Sequence, residues 1–369
     1  MRFLLALLAA AGAAAQGQRP PEPLPTFESL LKKIASAPAD PCDWQNPDLS
    51  GRSDLEFRIF NEADKAVVAK LNESPIASPS AAPSRATAAL RQLQGVSAEA
   101  NKGWPEDRRF QFKVIELPPG LLVKMTFRNW ATFSYFAHPE VDENTPVSLW
   151  HDLAAADSRR SMAAGLSAGL DLFPLHRGPS NRPRFLAVFY TSWCNGPSGG
   201  ISYSAYEWNL QDAGMLSWLI RIEGEMNLAD PNRGLRTEGA LIRLPYCWRS
   251  AVDTWDSPSL CATNSYDLSG DRVRLVGNDY NLPDLLPVAR AIQYAQAGDY
   301  PAVLAYCGSA EVARQIVQSI PPNVSGIPFF TVKQIGASRK SVDLGSGPEF
   351  HFEVEKRGDR WLVVSFRMD

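Results

Sequence analysis

In the middle of the chain, apolar and polar residues alternate one by one within short segments. Residues 110–115 alternate in this way, and residues 121–128 do so again after the turn Pro118-Pro119-Gly120. The same pattern predicts further strands at 130–136, 184–193, 201–208, 215–223, 238–244, 264–268 and 272–276. Eight or more short strands with turn residues between them predict a central antiparallel sheet domain, folded as a sandwich, a barrel or a strongly bent meander.

Before these strands, apolar residues recur at helical spacing. Phe27, Leu30, Leu31 and Ile34 fall at i, i+3, i+4 and i+7, which predicts an amphipathic helix that docks on the body of the protein. Between residues 52 and 102 the pattern predicts a strand at 55–60 and helices at 62–71 and 85–94. The low-complexity segment 74–84, between the two helices, is expected to be a mobile loop. A helix is also predicted at 156–170.

The pattern changes again after residue 283. Apolar residues at helical spacing predict three helices, the second starting near Pro301 and the third capped by Ser309. Three strands are predicted to follow, at 329–335, 349–356 and 360–367. This segment is therefore expected to be a small helix-then-sheet domain, and the chain as a whole to be α+β and mostly β.

Four segments follow from these patterns. They are a signal peptide at 1–15, a proline-rich spacer with a short amphipathic helix at 16–51, a mainly antiparallel β domain at 52–280 that includes the loop 74–84, and an α+β domain at 281–369.

The last segment resembles the cone-shaped α+β fold shared by nuclear transport factor and ketosteroid isomerase. The residues that carry the resemblance are YAQAGDYPAVLAYC at 294–307 and RGDRWLVVSFRMD at 357–369. The resemblance implies a domain that binds small apolar molecules, catalyses a modest reaction or dimerises. It covers under a quarter of the chain and assigns no functional residue.

The first 15 residues have the composition of a secretory signal peptide. Arg2 precedes an unbroken run of apolar and small residues from Phe3 to Ala15, and Ala13 and Ala15 occupy the small positions that a signal peptidase requires. The run is too short for a membrane span, which takes about 20 apolar residues. We therefore expect a mature chain beginning at Gln16 that is released to the periplasm or the cell exterior, without membrane insertion.

Composition and charge narrow the classes of partner. The 369 residues carry a net charge of -3, and no long run of one charge occurs. Because nucleic-acid binders display a clustered basic surface, nucleic acid is not expected as a partner.

Five cysteines, at 42, 194, 247, 261 and 307, include no C-x-x-C pair. In an oxidising compartment such residues can form disulfides, and an odd number leaves at least one unpaired within the chain. Cys247 and Cys261 are the nearest pair, and a bridge between them would stabilise the fold by about 3 kcal/mol on a chain-entropy estimate. The alternative is five small buried thiols.

Motifs for metal and cofactor binding are weak. His138-Pro139-Glu140, with Asp142 and Glu143 nearby, offers ligand types suited to zinc, but in a proline-containing loop that is equally well a solvated acidic turn. The glycine-rich patterns of nucleotide-binding loops do not occur. We therefore expect no metal and no cofactor.

Hydrolase chemistry has two sets of candidates. Ser198 in Gly196-Pro197-Ser198-Gly199-Gly200 is expected in a loop between strands rather than at a catalytic turn. Paired carboxylates and sugar-stacking rings could come from Glu207, Glu223, Glu225, Trp193, Trp208 and Trp218. For the aromatic residues, packing in the core is the competing interpretation.

The densest unusual stretch is 244–261. Its candidate binding residues are Tyr246, Trp248, Arg249, Asp253, Trp255 and Asp256, between the two cysteines of the proposed bridge or beside them. The stretch predicts either a binding loop or a disulfide-linked structural loop packed by tryptophan. The sequence thus favours an exported, non-catalytic binding or scaffolding protein with a protein or carbohydrate ligand. The alternative is a secreted hydrolase acting on envelope polysaccharide or a small molecule.

Overall fold

The computed structural model divides the chain into two compact units. One comprises Met1–Arg128 with Thr132–Ala155, and the other Asn129–Ala131 with Ala156–Asp369. The structure describes residues 23–35, 49–73, 81–118, 120–128, 130–137, 151–152, 168–192, 198–209, 215–227, 234–248, 250, 260–322, 330–345 and 349–369. The fold is α+β and mostly β, as the hydrophobic pattern predicted.

The first unit combines three helices with a small sheet. Its elements are α1 (Pro23–Ala35), α2 (Leu49–Leu71), α3 (Ala82–Ala100), β1 (Gln111–Leu117), β2 (Gly120–Phe127), β3 (Trp130–Ala137) and β4 (His151–Asp152). The strands form an antiparallel sheet in the order β1-β2-β3-β4. The apolar stripe of α1 is buried, and the ring of Phe27 meets that of Phe110 edge to face at 5.5 Å. The predicted docking of this helix on the protein body is confirmed.

Helix α2 corrects the strand that alternation predicted at 55–60. Over the longer window, the buried residues Ile59, Phe60, Ala63 and Val67 recur at helical spacing, and this longer period decides the conformation. Glu56 is buried as well, because its carboxylate accepts a hydrogen bond from Arg128 at 2.8 Å.

Two further predictions near helices change. The mobile loop predicted at 74–84 extends too far, since α3 begins at Ala82 with proline in its first turn; residues 74–80 lie outside the described part. The helix predicted at 156–170 is wrong at its end, because strand β5 begins at Ala168. Buried Leu170 and Leu172 alternate there with half-buried Asp171, the period of a strand. Residues 156–167 are not described.

The second unit contains a large antiparallel sheet. Its strands are β5 (Ala168–Pro174), β6 (Arg184–Ser192), β7 (Ser198–Asn209), β8 (Met215–Asn227), β9 (Arg236–Glu238), β10 (Leu241–Trp248), β11 (Leu260–Asp267) and β12 (Arg274–Tyr280). They are ordered β12-β11-β10-β8-β7-β6-β5, and β9 pairs with β10. One core on this sheet contains Leu186, Tyr203, Ile242 and Leu244.

This large sheet is strongly bent. Strands β6 and β11 lie four positions apart in the strand order, which would separate them by about 19 Å in a flat sheet. Yet Arg184 on β6 donates hydrogen bonds to the carbonyl oxygens of Leu268 and Gly270, which directly follow β11. That distance exceeds the length of an arginine side chain, so the sheet must curl to bring its two ends together.

The C-terminal part of the same unit has helices followed by strands. They are α4 (Leu286–Gln296), α5 (Tyr300–Leu304), α6 (Ala310–Ser319), β13 (Phe330–Gly336), β14 (Arg339–Leu344), β15 (Phe350–Arg357) and β16 (Arg360–Met368). The predicted cap of α6 is confirmed, because the Ser309 hydroxyl accepts from the Val312 amide at 3.3 Å. The sequence predicted three strands and missed β14. The four strands form an antiparallel meander against which α4 and α6 pack.

In the part of the chain that the structure describes, no helix is both long and apolar enough to cross a membrane.

Candidate functional site

Strands β10 and β11 carry the densest stretch identified in the sequence. Their register places Tyr246 opposite Ala262, Cys247 opposite Cys261 and Trp248 opposite Leu260. Because side chains alternate along a strand, Tyr246 and Trp248 project from one face of the sheet and the two cysteines from the other. Ala262 is in turn opposite Tyr280 on β12, which brings a third aromatic residue to the face of Trp248.

The predicted Cys247–Cys261 disulfide is confirmed. The Cα atoms of the two cysteines are 3.9 Å apart, and their sulfur atoms are bonded. The bond joins the ends of β10 and β11 and closes the segment between them. Cys307 is a buried free thiol, and burial raises its pKa to about 11. It is therefore protonated and unreactive at neutral pH.

Three side chains surround the indole ring of Trp248. The rings of Tyr246 and Tyr280 lie 5.9 Å from it, the second one edge to face. The Arg290 guanidinium carbon lies 5.0 Å from the ring centroid, within the range of a cation–π interaction. The indole Nε1 is buried and has no hydrogen-bond partner among the described residues. The ring is thus fixed by its neighbours, while its one polar atom lacks the partner that buried Trp N–H groups usually find.

The contact between Tyr246 and Trp248 also links two hydrophobic cores. Tyr246 packs against the core of the bent sheet, together with Ile242 and Leu244. Trp248 packs against the core between the C-terminal helices and sheet, which includes Leu260. Part of each ring therefore has a structural role.

Helix α4 extends this aromatic group. Tyr294, one turn after Arg290, stacks on Tyr306 with ring centroids 6.0 Å apart. Burial raises the pKa of Tyr306, and the neighbouring phenols of Tyr294 and Tyr280 raise it further against the opposing charges of Arg290 and Arg360. Because Arg290 and Tyr294 are one turn apart on α4, the Arg290–Trp248 and Tyr294–Tyr306 contacts lie next to each other. We call the whole group the aromatic–arginine surface, consisting of Tyr246, Trp248, Tyr280, Arg290, Tyr294 and Tyr306.

The structure brings together only part of the set of residues predicted as a binding loop. Tyr246 and Trp248 belong to the aromatic–arginine surface. Arg249, Asp253, Trp255 and Asp256 lie outside the described residues.

The other four members of the surface were not predicted from the sequence: Tyr280, Arg290, Tyr294 and Tyr306. One signal was present, since Arg290 and Tyr294 are spaced i, i+4 on a predicted helix. Their proximity to Trp248 depends on how α4 packs against the sheet.

Among the candidate hydrolase carboxylates, the structure describes the side chain of Glu207 but not those of Glu223 and Glu225. Glu207 is buried and accepts hydrogen bonds from Arg182 at 3.1 Å and from Arg184 at 2.6 Å. Ser198 begins strand β7 instead of lying in the expected loop. A catalytic nucleophile of the strand–turn–helix type would precede a helix. Trp208 is buried, whereas Trp218 is 49% exposed beneath the guanidinium of Arg221.

The metal-like triplet His138-Pro139-Glu140, with Asp142 and Glu143, lies outside the described residues, as do Trp193, Cys42 and Cys194.

The chemistry of the aromatic–arginine surface is suited to recognition. It offers flat ring faces, a guanidinium group that can bind an acid, and several phenol hydroxyls. Trp, Tyr and Arg are the residue types that dominate binding energy at protein interfaces.

No protein-family model matches the chain, and comparison with curated proteins gives no match either. The functional interpretation therefore depends on the residues of the surface itself.

Proposed function

We propose that this protein is an exported, non-catalytic binding protein and that the aromatic–arginine surface contacts its partner. The observation that carries the proposal is the half-buried Trp248 ring, held between two tyrosines and Arg290 and joined to a disulfide-linked strand pair. Side chains that are already ordered lose little conformational freedom on binding, so more of the contact energy contributes to affinity.

A protein partner suits the surface better than a carbohydrate. Trp, Tyr and Arg together, with no lysine or carboxylate among the six residues, match the composition of binding hot spots in protein interfaces. Arg290 adds a preference for an acidic group, because a guanidinium group can hold a carboxylate through two hydrogen bonds. The expected partner is therefore a protein segment that presents an apolar side chain next to Asp or Glu.

The binding role is preferred to the hydrolase alternative because Glu207, the one candidate carboxylate whose side chain the structure describes, is held by two arginines. Each of its two carboxylate oxygens accepts a hydrogen bond from an arginine, whereas a catalytic carboxylate must be within hydrogen-bond reach of the substrate.

Export is part of the same proposal. It is supported by the signal-like residues 1–15 and by the Cys247–Cys261 disulfide, since such bonds persist mainly in oxidising compartments. N-terminal sequencing of the protein recovered from the native host tests this. A chain starting at Gln16 supports export, and a retained Met1 in the soluble cytoplasmic fraction contradicts it.

We also propose kinship of the C-terminal part with the cone-shaped fold of nuclear transport factor and ketosteroid isomerase. Its support is the order of elements, helices α4 to α6 followed by an antiparallel meander. An experimental structure of the whole chain tests it by superposition on members of that fold.

Site-specific photo-crosslinking in the native host tests the binding role. The photoreactive residue p-benzoylphenylalanine is placed at Tyr294, inside the surface, or at Trp218, an exposed aromatic position on β8. We expect a covalent adduct from position 294 and none from position 218. Adding Arg290→Ala should reduce the adduct about 10-fold, the effect of losing a contact worth about 1.4 kcal/mol.

The nature of the adduct identifies the partner class. Peptides of a second protein, found by mass spectrometry of the digested adduct, support a protein partner, whereas loss of the added mass on periodate treatment indicates a carbohydrate. Equal labelling from positions 294 and 218, or an adduct unaffected by Arg290→Ala, would overturn the role of this surface.

A further inference from the structure

Four titratable side chains converge on one face of the C-terminal sheet. Asp343 on β14 is directly opposite His351 on β15, and Glu349 lies two residues before His351. The backbone amide of Asp369 donates to the carbonyl of Glu349 at 3.1 Å, which places Asp369 beside Glu349 at the end of the sheet. Phe350 and Phe352 are buried on the other face, so this group lies on the face away from the core.

The imidazole of His351 has a fixed orientation. Its Nδ1 atom lies 3.0 Å from Asp343 Oδ1. A ring N–H donated to a carboxylate fixes the tautomer in which Nε2 carries a lone pair. The side chain is 20% exposed, which further limits its movement.

The Nε2 atom faces two more carboxylates. Nε2 lies 3.1 Å from Asp369 Oδ2 and 3.8 Å from Glu349 Oε2. The Nε2 atom is nonetheless buried and makes no hydrogen bond of acceptable geometry with any described residue. Among the described residues, Glu349, His351 and Asp369 form the one group whose possible metal ligands all lie within 4.8 Å of one another.

We propose that Glu349, His351 and Asp369 form a zinc-binding site and that Asp343 orients its histidine. Two ligands of a tetrahedral zinc ion, each about 2.0–2.1 Å from the metal, are about 3.3 Å apart. The observed separations of Nε2 from the two carboxylate oxygens lie on either side of that value. Three protein ligands leave the fourth position to water.

The ligand types select the class of metal. An imidazole nitrogen favours zinc and its transition-metal neighbours, whereas magnesium and calcium prefer an all-oxygen set. Two carboxylates from the ligands balance the charge of a divalent ion. The cation Arg367 has its Nε 3.5 Å from Asp369 Oδ1, while the other oxygen, Oδ2, faces His351 Nε2.

The outer contact to Asp343 completes a carboxylate–histidine–metal arrangement. Such a partner fixes the ring and makes the ligand more basic, and its loss typically lowers metal affinity by about 10- to 100-fold.

Calorimetric titration of the full chain with zinc chloride, after removal of metal by EDTA, tests the proposal. We expect one zinc ion per chain. His351→Ala should weaken binding at least about 100-fold and Asp343→Asn about 10-fold, in line with the usual order of inner and outer partners. The matched control is His176→Ala, an exposed histidine elsewhere in the chain, which should leave the affinity unchanged.

Cobalt(II) in place of zinc reports which atoms bind. A tetrahedral nitrogen–oxygen site gives visible ligand-field bands without the near-ultraviolet sulfur-to-cobalt band, and His351→Ala should abolish those bands. Circular dichroism shows whether each variant folds, and Asp343→Asn keeps every proposed ligand in place.

Three results would overturn the proposal. The first is that the wild-type chain binds no zinc up to 1 mM, which is about the weakest affinity that would count as a site. The second is that the wild type and a folded His351→Ala variant bind zinc with equal affinity. The third is a sulfur-to-cobalt band, which would show that cysteines bind the metal.

Discussion

The second compact unit contains two charged clusters that differ in how many of their polar atoms have hydrogen-bond partners. On the bent sheet, every nitrogen of the Arg184 guanidinium donates to a partner, either the Glu207 carboxylate or the carbonyls of Leu268 and Gly270. On the C-terminal sheet, His351 has one nitrogen paired with Asp343, while the other faces two carboxylates without a hydrogen bond.

The difference separates charges that hold the fold from charges that await a ligand. The Arg184 side chain is fully buried. Its partner Glu207 is directly opposite on β7, whereas its two carbonyl partners follow β11 on the other side of the sheet, so these two contacts fix the curl. Gly178 lies so close that a Cβ atom there would come within 2.4 Å of Glu207 Oε2. The His351 cluster is built from neighbouring strands at one end of the C-terminal sheet, and the side chains of Glu349 and Asp369 are more than half exposed.

The largest expected effect comes from breaking the buried cluster. We expect Arg184→Ala to lower the free energy of unfolding by about 3–5 kcal/mol, because it leaves the Glu207 carboxylate buried with too few partners. Urea denaturation measures this. Arg339→Ala, which removes an exposed ion pair with Glu353, is the control and should cost less than about 1 kcal/mol. Equal costs for the two variants would contradict the distinction between the clusters.

The disulfide provides the next test, because it links β10 and β11 at the end away from Leu268. Replacing Cys247 and Cys261 together by serine should lower the free energy of unfolding by about 3 kcal/mol. Since the two features share no partner, the cost should add to that of Arg184→Ala within about 0.5 kcal/mol. A coupling energy well above that would mean that both features stabilise the same part of the sheet.

A smaller effect is expected at the C-terminal sheet. In metal-free buffer, His351→Gln should change the free energy of unfolding by less than about 1 kcal/mol, because its carboxylate neighbours can turn toward water. With excess zinc, the wild type alone should gain about 3–5 °C in melting temperature. A large loss of stability in metal-free His351→Gln would show that this cluster, like that of Arg184, holds the fold.

The effect that is smallest at neutral pH concerns Tyr190, on the same bent sheet as Arg184. Burial, together with the charge of Asp171 and a hydrogen bond to it at 3.3 Å, raises the pKa of Tyr190 to about 12. An unfolded tyrosine titrates near pH 10. Between these two pH values the folded chain therefore binds more protons than the unfolded chain. The free energy of unfolding should fall as the pH rises from about 10 to 12.

The Tyr190 pKa is measured from absorbance at 295 nm during alkaline titration, as the titration curve of the wild type minus that of Tyr190→Phe. The variant should lose less stability over that pH range than the wild type. A difference titration centred at pH 10 would contradict the burial of this phenol.

Much of the fold was predictable because local period and turn residues determine it. The alternation at 110–128 and the caps of the C-terminal helices gave elements that the structure contains. The errors have identifiable causes. A six-residue alternation at 55–60 could not reveal the helical period of the 23 residues of α2, and β14 carries only two buried residues, Val342 and Leu344, to mark it.

The His351 cluster and the aromatic–arginine surface differ in how far the sequence could predict them. The partners of His351 follow from strand register, so Asp343 and Glu349 could have been found once β14 and β15 were paired. The surroundings of Trp248 could not, because Arg290 and Tyr294 reach it only through the packing of α4 on the sheet.

By itself, the sequence determined the mostly β composition and the positions of most strands and helices, because these depend on local spacing and on residues close along the chain. It identified Cys247 and Cys261 as the nearest candidate pair for a disulfide, which the structure then confirmed. The tertiary structure decided which charges meet. Arg184 and the carbonyl of Leu268 are 84 residues apart in the chain, and only the curl of the sheet brings them together. The same holds for Arg290 beside Trp248, since a contact between distant residues depends on the packing of whole elements rather than on any local pattern.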